Sequence, residues 1–393
     1  MKKYNFDEDI SRVGTSSVKW DFVGNKFKRE GLLPLWVADL DFACPQEIIE
    51  EINKRLTHPL FGYTVPSEKV KESICSWNQK QNDLLIKNEE IIFCSGVVPS
   101  LSVSILTCTE VGDGIIIQPP VYPSFFSVIE ANKRKVLLNP LRQNDEGHYA
   151  IDFEQLEKIL PTAKMMIICS PHNPVGRVWN QDEITKIINL CRKYDVYLIS
   201  DEIHSDLIFS SYKHYSVLHV DKACLSKTIV CMAPSKTFNL AGMKLSYMII
   251  PEARLREKIH SYLLQIGMAH EHPLSLVALE AAYSKGHLWK NEMMTYIEEN
   301  YFFVKKFFSD NLPLLKVTPS QGTYLMWLDF RSFNLSEENL DLWLLDNAKV
   351  AMNDGPSFGL QGKGFRRMNL GTTRKRLLMA LEAICKAHTS KYK

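Results

Sequence analysis

The sequence places a lysine where a short buried strand is predicted to end. The apolar run at residues 228–232 is typical of such a strand, and Ser235 and Lys236 follow it on a turn, with Lys244 eight residues later. An ε-amine at the carboxyl edge of an α/β sheet could be the nucleophile of a Schiff-base site, with Ser235 and Lys244 facing a phosphate. Ser-Lys pairs also occur in ordinary surface turns, so the rest of the chain decides between the two interpretations.

Three further polar side chains, those of Asp201, Asn173 and Tyr122, follow the ends of short apolar runs within five residues. Because the carboxyl ends of parallel strands meet at one edge of a sheet, we expect these groups close to Lys236. A desolvated Asp201 is costly unless it pairs with a cation, which is either structural or part of a ligand. Tyr122 either stacks on a planar ligand or caps its strand as a core residue.

A glycine turn joins another apolar run, at residues 91–94, to a predicted helix. Gly96, Val97 and Val98 lie in this turn. Free backbone N–H groups at the positive end of a helix dipole can hold a phosphate, so these residues form a candidate phosphate site. Many α/β crossovers look alike, and the motif is weak by itself.

Two carboxylates, Asp39 and Asp41, stand among large apolar residues in the segment 35–42. The segment alternates too little for an edge strand. It is either a solvated loop or part of the lining of a pocket.

The composition excludes several classes of partner. The 393 residues carry 47 Lys+Arg and 45 Asp+Glu, for a net charge of +2, and the basic residues are not clustered, so neither nucleic acid nor an anionic membrane is indicated. No apolar run approaches membrane-spanning length, and charges interrupt the amino terminus where a signal peptide would be apolar. Nine scattered cysteines without a C-x-x-C pair indicate buried thiols in a reducing cytoplasm and no metal site.

Strands, polar residues and helices alternate from residue 46 to residue 285, which predicts an α/β domain with a mainly parallel sheet and helices on both faces. Beyond residue 285 the sequence pattern changes to long amphipathic segments with fewer predicted strands. We therefore predict a smaller α+β domain at residues 286–393, joined by the amino-terminal segment 1–45. Arg367 lies on a predicted strand, where it would ordinarily be a surface residue.

Together these groups fit pyridoxal 5'-phosphate. Lys236 would bind the aldehyde, Asp201 the pyridinium nitrogen, Asn173 the phenolic oxygen and Tyr122 the face of the ring. The phosphate would lie against the 96–98 turn, Ser235 and Lys244.

Over nearly its whole length the chain resembles the fold-type-I pyridoxal-phosphate enzymes of the class I/II aminotransferase superfamily, and within it the MalY/PatB-type cystathionine beta-lyases and cystalysin. Three motifs, Asn-Pro-x-Gly, Asp-Glu and Ser-Lys, occur in this order. Together they are specific for this superfamily. The matching strings are Trp36-Val37-Ala38-Asp39, Gly62-Tyr63-Thr64, Ser95-Gly96-Val97-Val98-Pro99, Ser170-Pro171-His172-Asn173-Pro174-Val175-Gly176-Arg177-Val178-Trp179, Ser200-Asp201-Glu202-Ile203-His204, Ala233-Pro234-Ser235-Lys236-Thr237-Phe238-Asn239 and Arg367-Met368-Asn369.

The resemblance implies further roles. Tyr63 would reach the phosphate of the neighbouring subunit, which makes the enzyme a homodimer with shared sites. Arg367 would bind the substrate α-carboxylate through a two-pronged contact, with Asn173 and Asp39 also near the substrate. His204 would lie by the phenolic oxygen, where aspartate-type aminotransferases carry a tyrosine, and Ala233 replaces their phosphate-binding serine. Both replacements are shared with the lyase branch.

The resemblance to cystalysin is incomplete at one point beside the predicted ring-stacking residue. Pro123 replaces the second of two tyrosines that cystalysin carries there. An acid role for a tyrosine at that position is therefore not supported.

We predict a C–S lyase that acts by α,β-elimination on cystathionine, cysteine or S-substituted cysteines. Lys236 would remove the Cα proton, and Asp201 would keep the ring nitrogen protonated. The products would be a thiol, pyruvate and ammonia. Two alternatives stay open: an aminotransferase, which differs only in how the same carbanion is reprotonated, and a regulator that acts through a protein partner.

Overall fold

The computed structural model describes residues 3–391 of the chain. Its strands, in chain order, are β1 (Leu33–Pro34), β2 (Ile91–Cys94), β3 (Gly114–Ile117), β4 (Lys135–Leu138), β5 (Arg142–Gln143), β6 (Tyr149–Ala150), β7 (Ala163–Cys169), β8 (Tyr197–Asp201), β9 (Thr228–Met232), β10 (Ser246–Ile249), β11 (Lys316–Val317), β12 (Leu325–Asp329), β13 (Val350–Ala351), β14 (Asn353–Asp354) and β15 (Phe365–Asn369).

The α-helices alternate with the strands through most of the chain. In order they are α1 (Val23–Phe27), α2 (Gln46–Leu56), α3 (Glu68–Asn82), α4 (Val97–Cys108), α5 (Pro123–Ala131), α6 (Phe153–Ile159), α7 (Gln181–Lys193), α8 (Ala253–Gln265), α9 (Pro273–Lys285), α10 (His287–Asn311), α11 (Glu337–Leu342) and α12 (Arg374–Lys391).

The central sheet has seven strands in the order β2-β10-β9-β8-β7-β3-β4. Strands β4, β3, β7, β8 and β9 run parallel, whereas β10 is antiparallel to both β9 and β2. The prediction of a mainly parallel sheet is confirmed, with one reversed strand that the apolar pattern did not indicate. Parallel pairing brings the carboxyl ends of β7, β8 and β9 to one edge.

Helices cover both faces of this sheet, because alternate strand residues pack into two separate apolar clusters. Ile115 and Ile167 pack on one side with residues of α4, α5 and α8. Ile116 and Ile168 pack on the other side with residues of α7 and α9. The near-continuous apolar runs that predicted buried strands result from burial on both faces.

A second sheet, β11-β12-β15-β14, is antiparallel and lies in the carboxyl-terminal part of the chain. The amino-terminal segment joins that part through β1, which pairs in parallel with β13. Leu33 is paired with Val350, and the backbone N–H of Leu35 donates to the carbonyl of Ala351 over 2.8 Å. The domain boundaries at 45/46 and 285/286 remain a prediction.

The structure also bears on the cysteines and on membrane-spanning segments. The nine cysteines are all free thiols, and five of them, including Cys169 and Cys231, are buried. Between residues 3 and 391, no helix combines the length and the apolar character that crossing a membrane requires.

Candidate active site

The predicted site residues surround one cavity of about 490 Å³ at the carboxyl ends of β7, β8 and β9. Its lining includes ten of the residues predicted from the sequence to form the site: Gly96, Val97, Val98, Tyr122, Asn173, Asp201, His204, Ser235, Lys236 and Lys244. Arg367, from β15 of the second sheet, is the eleventh. The cavity therefore lies between the two sheets, as ligand sites of open α/β folds commonly do.

Lys236 lies four residues beyond β9, and its side chain reaches the amino-terminal segment. The Lys236 Nζ donates to the carbonyl oxygen of Ala38 over 2.8 Å. Desolvation in the cavity, aided by the nearby positive charge of Arg367, lowers the pKa of Lys236 to about 8. A substantial fraction of this amine is therefore neutral, and nucleophilic, near physiological pH.

Asp201 is the last residue of β8 and is only 3% exposed. Burial raises the pKa of its carboxyl to about 7, although the backbone N–H of Ile203 donates to Oδ1 over 3.2 Å and Lys236 lies close enough to oppose the shift. Cys169 and Cys231 are its partners on β7 and β9 and supply only weakly polar thiols. Such a carboxylate is suited to a cationic N–H group of a ligand.

Arg367 enters the cavity from the middle of β15 and is also buried. Its Nη1 donates to Asn173 Oδ1 over 3.1 Å, and its Nη2 donates to Asn353 Oδ1 over 2.8 Å and to the carbonyl of Trp36 over 2.9 Å. Its Nε has no hydrogen-bond partner. Desolvation lowers the pKa of Arg367 to about 10, so the group remains a cation at neutral pH.

The amino terminus of α4 forms another wall of the cavity. Gly96 precedes the helix with φ of 153°, a conformation that favours glycine. The first N–H groups of a helix have no partners within it, so Val97 and Val98 present backbone donors beside Ser235 and Lys244. Backbone donors, a hydroxyl and an ammonium together form a suitable phosphate site.

Tyr122 and His204 occupy two remaining positions of the lining. Tyr122 stands immediately before α5, where Pro123 occupies the first helical position, and its ring contacts Phe125 edge-on. Burial lowers the pKa of His204 to about 3, so the imidazole is neutral, and its Nδ1 has no hydrogen-bond partner. The unpaired nitrogen of His204 and the unpaired Nε of Arg367 are buried polar atoms that a ligand could satisfy.

Three of the acidic and aromatic residues that we singled out lie away from the lining. Asp39 accepts from Arg12 through both carboxylate oxygens, at 3.0 and 2.7 Å, and Asp41 is buried against Lys19 at 2.9 Å. Tyr63 is fully exposed in the single chain. Arg12 contacts both carboxylate oxygens of Asp39, and the contact of Asp39 with a substrate remains a prediction.

Several contacts in and around the lining have no local signal in the sequence. Segment 35–42 does line the cavity, through Trp36 and Ala38, but both residues act through backbone carbonyls, which every residue type possesses. Asn353 reaches Arg367 only because β14 pairs with β15 in the antiparallel register Asn353 with Arg367. Tyr324 donates to the Ala38 carbonyl over 3.2 Å. These contacts depend on long-range pairing, which local patterns do not reveal.

The donor set fits pyridoxal phosphate. The cavity holds a partly neutral amine, a buried carboxyl near that amine, an amide and a phosphate-binding end. Within the described part of the chain, no group of three or more His, Cys, Asp or Glu residues is arranged to hold a metal ion. The chemistry of the residues thus matches an organic cofactor with an aldehyde, a basic ring nitrogen and a phosphate.

Comparisons with known proteins agree with this geometry. Residues 30–384 match the family model described as Aminotransferase class I and II. The chain is 42% identical over 369 residues to Cystathionine beta-lyase PatB of Bacillus subtilis, covering 93% of this chain and 95% of that protein. It is 33% identical over 381 residues to Protein MalY of Escherichia coli, with coverage of 95% and 96%. Cystalysin of Treponema denticola, solved with pyridoxal 5'-phosphate, has a TM-score of 0.96 and 36% identity over 99% of both chains.

Proposed function

Because this chain belongs to the class I/II aminotransferase family of fold-type-I pyridoxal-phosphate enzymes, and within it to the PatB/MalY type, we propose that it cleaves the Cβ–S bond of cysteine S-conjugates. The observation that carries the proposal is that Lys236, Asp201 and Arg367 meet in one cavity. These residues provide a base, an anion for a ring nitrogen and a cation for a substrate carboxylate. The substrate class includes cystathionine, on which the relative PatB is named to act.

The cofactor contributes one kind of chemistry: when bound, pyridoxal phosphate provides an electron sink for negative charge at Cα. The residues suited to hold it are Lys236 at the aldehyde, Asp201 at the ring nitrogen and Asn173 at the phenolic oxygen. Tyr122 lies where it would support the ring face. The amino terminus of α4, with Ser235 and Lys244, is suited to the phosphate.

Arg367 is the proposed anchor for the substrate α-carboxylate. Its guanidinium is held by Asn173, Asn353 and the Trp36 carbonyl, so it is oriented before substrate arrives. Planar guanidinium groups bind carboxylates through two parallel hydrogen bonds. Fixing the carboxylate also fixes the Cα–H bond relative to Lys236, and such positioning contributes strongly to rate.

Lys236 is the proposed general base. Its pKa of about 8 makes the neutral amine available, and the Ala38 carbonyl gives the resulting ammonium an acceptor. The amine takes the Cα proton, the Cβ–S bond breaks with its electron pair leaving on sulfur, and the thiolate gains a proton. Water then converts the remaining three-carbon fragment into pyruvate and ammonia, so atoms and charge balance.

An aminotransferase is the runner-up, since it would use the same lysine, aspartate and arginine. The two reactions differ in whether a keto acid is required. We propose incubating the purified holoenzyme with L-cystathionine in the absence of any keto acid and measuring pyruvate and thiol. Release of both in equal amounts supports the lyase, whereas turnover that begins only after 2-oxoglutarate is added contradicts it.

We also infer that the enzyme is a homodimer whose two sites are shared. The support is the exposed segment that contains Leu60, Phe61, Tyr63 and Val65, with exposed fractions of 67%, 56%, 101% and 74%. Within its own chain, the ring of Tyr63 lies 6.1 Å from the ring of His270. In a dimer, its hydroxyl is proposed to reach the phosphate end of the neighbouring site.

The proposed cellular location is the cytoplasm. The support is the set of free thiols, five of them buried, which reducing conditions preserve. Fractionation of cells that express the tagged full chain tests this proposal, and recovery in a membrane or extracellular fraction would contradict it.

A further inference from the structure

The charged groups of the cavity are all accounted for by the proposed function. The charged residues in its lining are Asp201, Lys236, Lys244 and Arg367, and each has a proposed partner on the cofactor or on the substrate α-carboxylate. His204 is neutral because burial lowers its pKa to about 3. Among the described residues that line the cavity, no further cation or anion is left for a second charged group on the substrate.

The remaining lining is apolar or neutral where the cavity opens. Val18 lines it and is 58% exposed, which places this side chain at the opening. Trp36 also lines it, and its indole N–H donates to the Lys19 carbonyl over 3.2 Å. Asn353 is neutral, and its Oδ1 is occupied by Arg367. A substituent that extends from the substrate sulfur toward the opening therefore meets carbon atoms and amide groups.

The charged residues in the segments that flank Val18 and Trp36 pair with one another. Arg12 contacts both oxygens of Asp39, and it also contacts Asp41 at 3.1 Å. Lys19 contacts Asp41 at 2.9 Å and Asp39 at 3.7 Å. Arg376 lies 3.6 Å from Asp41 and also pairs with Asp9, so three cations face three anions. Binding a ligand charge here would require breaking an existing ion pair.

The neighbouring surfaces do not supply the missing charge at the opening. An adjoining cavity contains Glu271, but it shares Ser95, Lys244 and Leu245 with the first cavity and therefore meets it at the phosphate end. In the proposed dimer, the segment that approaches the site carries Leu60, Phe61 and Tyr63, which are apolar or neutral.

We propose that the enzyme prefers cysteine conjugates whose sulfur substituent is uncharged and apolar, such as S-alkyl or S-aryl cysteines, over cystathionine. This inference rests on the proposed lyase function. Cystathionine carries a second ammonium and a second carboxylate, and partial desolvation of ions without partners is unfavourable. An alkyl or aryl group instead buries carbon surface against Val18 and Trp36, which is favourable.

The test compares substrates that differ only in the distal charges. S-propyl-L-cysteine lacks both charges of cystathionine, whereas S-(3-carboxypropyl)-L-cysteine and S-(3-aminopropyl)-L-cysteine each keep one. We expect kcat/KM of the holoenzyme to be at least about tenfold higher for S-propyl-L-cysteine than for the three charged substrates, mainly through KM. If cystathionine is used as well as S-propyl-L-cysteine or better, the preference is wrong while the lyase function stands. If none of the four releases thiol, both proposals fail.

A charge placed at the opening should change the preference in a defined direction. We expect Val18→Arg to raise the ratio of kcat/KM for S-(3-carboxypropyl)-L-cysteine to that for S-propyl-L-cysteine at least about fivefold. The matched control is Val13→Arg, because Val13 is also exposed, at 69%, and does not line the cavity. If the ratio of the two kcat/KM values changes equally in Val18→Arg and Val13→Arg, or in neither variant, the sulfur substituent does not lie at Val18.

Discussion

At the scale of single residues, the site depends on desolvation that acts in opposite directions on two groups. The same cavity lowers the pKa of Lys236 to about 8 and raises the pKa of Asp201 to about 7. In both cases the neutral form is favoured, because transfer of a charge out of water is costly. In the protein without cofactor, the charged forms of this amine and this carboxyl are therefore less favourable than those of the same groups on the surface, and both groups are more reactive.

The role of Lys236 leads to the first prediction. Lys236→Ala should reduce kcat for C–S cleavage by at least about 10³-fold, because it removes both the attachment point and the base. In the cofactor-free protein, the rate at which Lys236 reacts with added pyridoxal phosphate should rise with pH through about 8 as the amine loses its proton. Steady-state assays check the loss of kcat, and absorbance kinetics of cofactor uptake from pH 6 to pH 10 check the pH dependence.

The matched control for this measurement is Lys227→Ala. Lys227 pairs with Asp195 on the surface and lies outside the cavity. It should retain full activity, and an equal loss in both variants would remove Lys236 from its proposed role.

Asp201 gives the second prediction, which concerns stability without cofactor. The folded pKa of about 7 lies above the ordinary 3.8, so between these values the folded protein binds more protons than the unfolded chain, and stability falls as pH rises. Asp201→Asn removes this dependence and should stabilise the cofactor-free protein at pH 8 by on the order of 1–3 kcal/mol. Urea unfolding at pH 5 and pH 8 measures the difference.

The control for the second prediction is an exposed carboxylate, Asp145, whose replacement by Asn should leave the pH dependence unchanged. With saturating pyridoxal phosphate the order should reverse, because the cofactor binds only the folded state and Asp201 is proposed to bind it. A variant that is destabilised at pH 8 without cofactor would contradict the assignment.

Much of this residue chemistry could be predicted from sequence. Lys236, Asp201, Asn173 and Tyr122 follow apolar strands, and strand ends meet at one sheet edge. The ion pair of Asp39 with Arg12 shows what such reasoning misses. Arg12 lies 27 residues earlier, in a segment whose path depends on tertiary contacts, so no local pattern pairs the two residues.

At the scale of elements, segment 36–41 is held over the cavity by side chains that bind its backbone. Asn369 Nδ2 donates to the carbonyls of Val37 and Asp39, each over 2.6 Å. Asn239 Nδ2 donates to the Leu40 carbonyl over 2.9 Å. Lys236 and Arg367 bind the same segment, so it links both proposed catalytic partners to the amino terminus.

The third prediction tests the cluster that fixes this segment. The side chains of Lys19 and Asp41 are both fully buried, and Trp20 Nε1 also donates to Asp41 over 2.9 Å. Asp41→Asn leaves a buried ammonium without its main counter-charge and should cost about 3–5 kcal/mol of stability. Chemical unfolding of the holoenzyme measures this loss, and KM should rise because the Trp36 carbonyl that holds Arg367 is displaced.

The comparison variant for the cluster is Asp346→Asn. Asp346 pairs with Arg29 at 2.6 Å, but both side chains are 38% exposed. A partly exposed pair should contribute no more than about 1 kcal/mol. Equal effects of the two substitutions would show that burial of the Asp41 cluster does not contribute to stability.

Elements were predictable where one local pattern dominated. Apolar runs identified β3, β7, β8 and β9, and a capping box formed by Asn180 and Glu183, a pattern visible in the sequence, starts α7. Strand direction could not be predicted in the same way. The sequence of β10 is apolar like that of its neighbours, but the strand is antiparallel to them. The two-residue strands β1 and β13 have no pattern of their own and exist only because they pair.

At the scale of the whole molecule, the exposed segment around Tyr63 is the feature that a single chain does not explain. It presents Leu60, Phe61 and Val65 to solvent together with Tyr63. Exposed apolar patches often mark protein–protein interfaces. In the proposed homodimer this segment would be covered and Tyr63 would reach the second site, which would connect assembly to cofactor binding.

The fourth prediction therefore joins oligomeric state and activity. Phe61→Asp should convert the dimer into a monomer that loses cleavage activity and binds pyridoxal phosphate at least about tenfold more weakly, because a charge is forced into an apolar interface. Sedimentation velocity and cofactor titration measure the two effects. The control is Leu85→Asp, since Leu85 is 77% exposed and lies outside this segment, and it should remain dimeric and active.

Mixing two inactive variants distinguishes shared sites from simple dimerisation. Lys236→Ala and Tyr63→Ala chains, unfolded and refolded together in equal amounts, should form hybrids in which one site has Lys236 from one chain and Tyr63 from the other. Random pairing makes half of the dimers hybrid with one competent site each, so about a quarter of the unsubstituted activity should return. Each variant refolded alone should stay inactive or strongly impaired. If the mixture gains no activity although hybrid dimers form, Tyr63 does not act across the interface, and the site is complete within one chain.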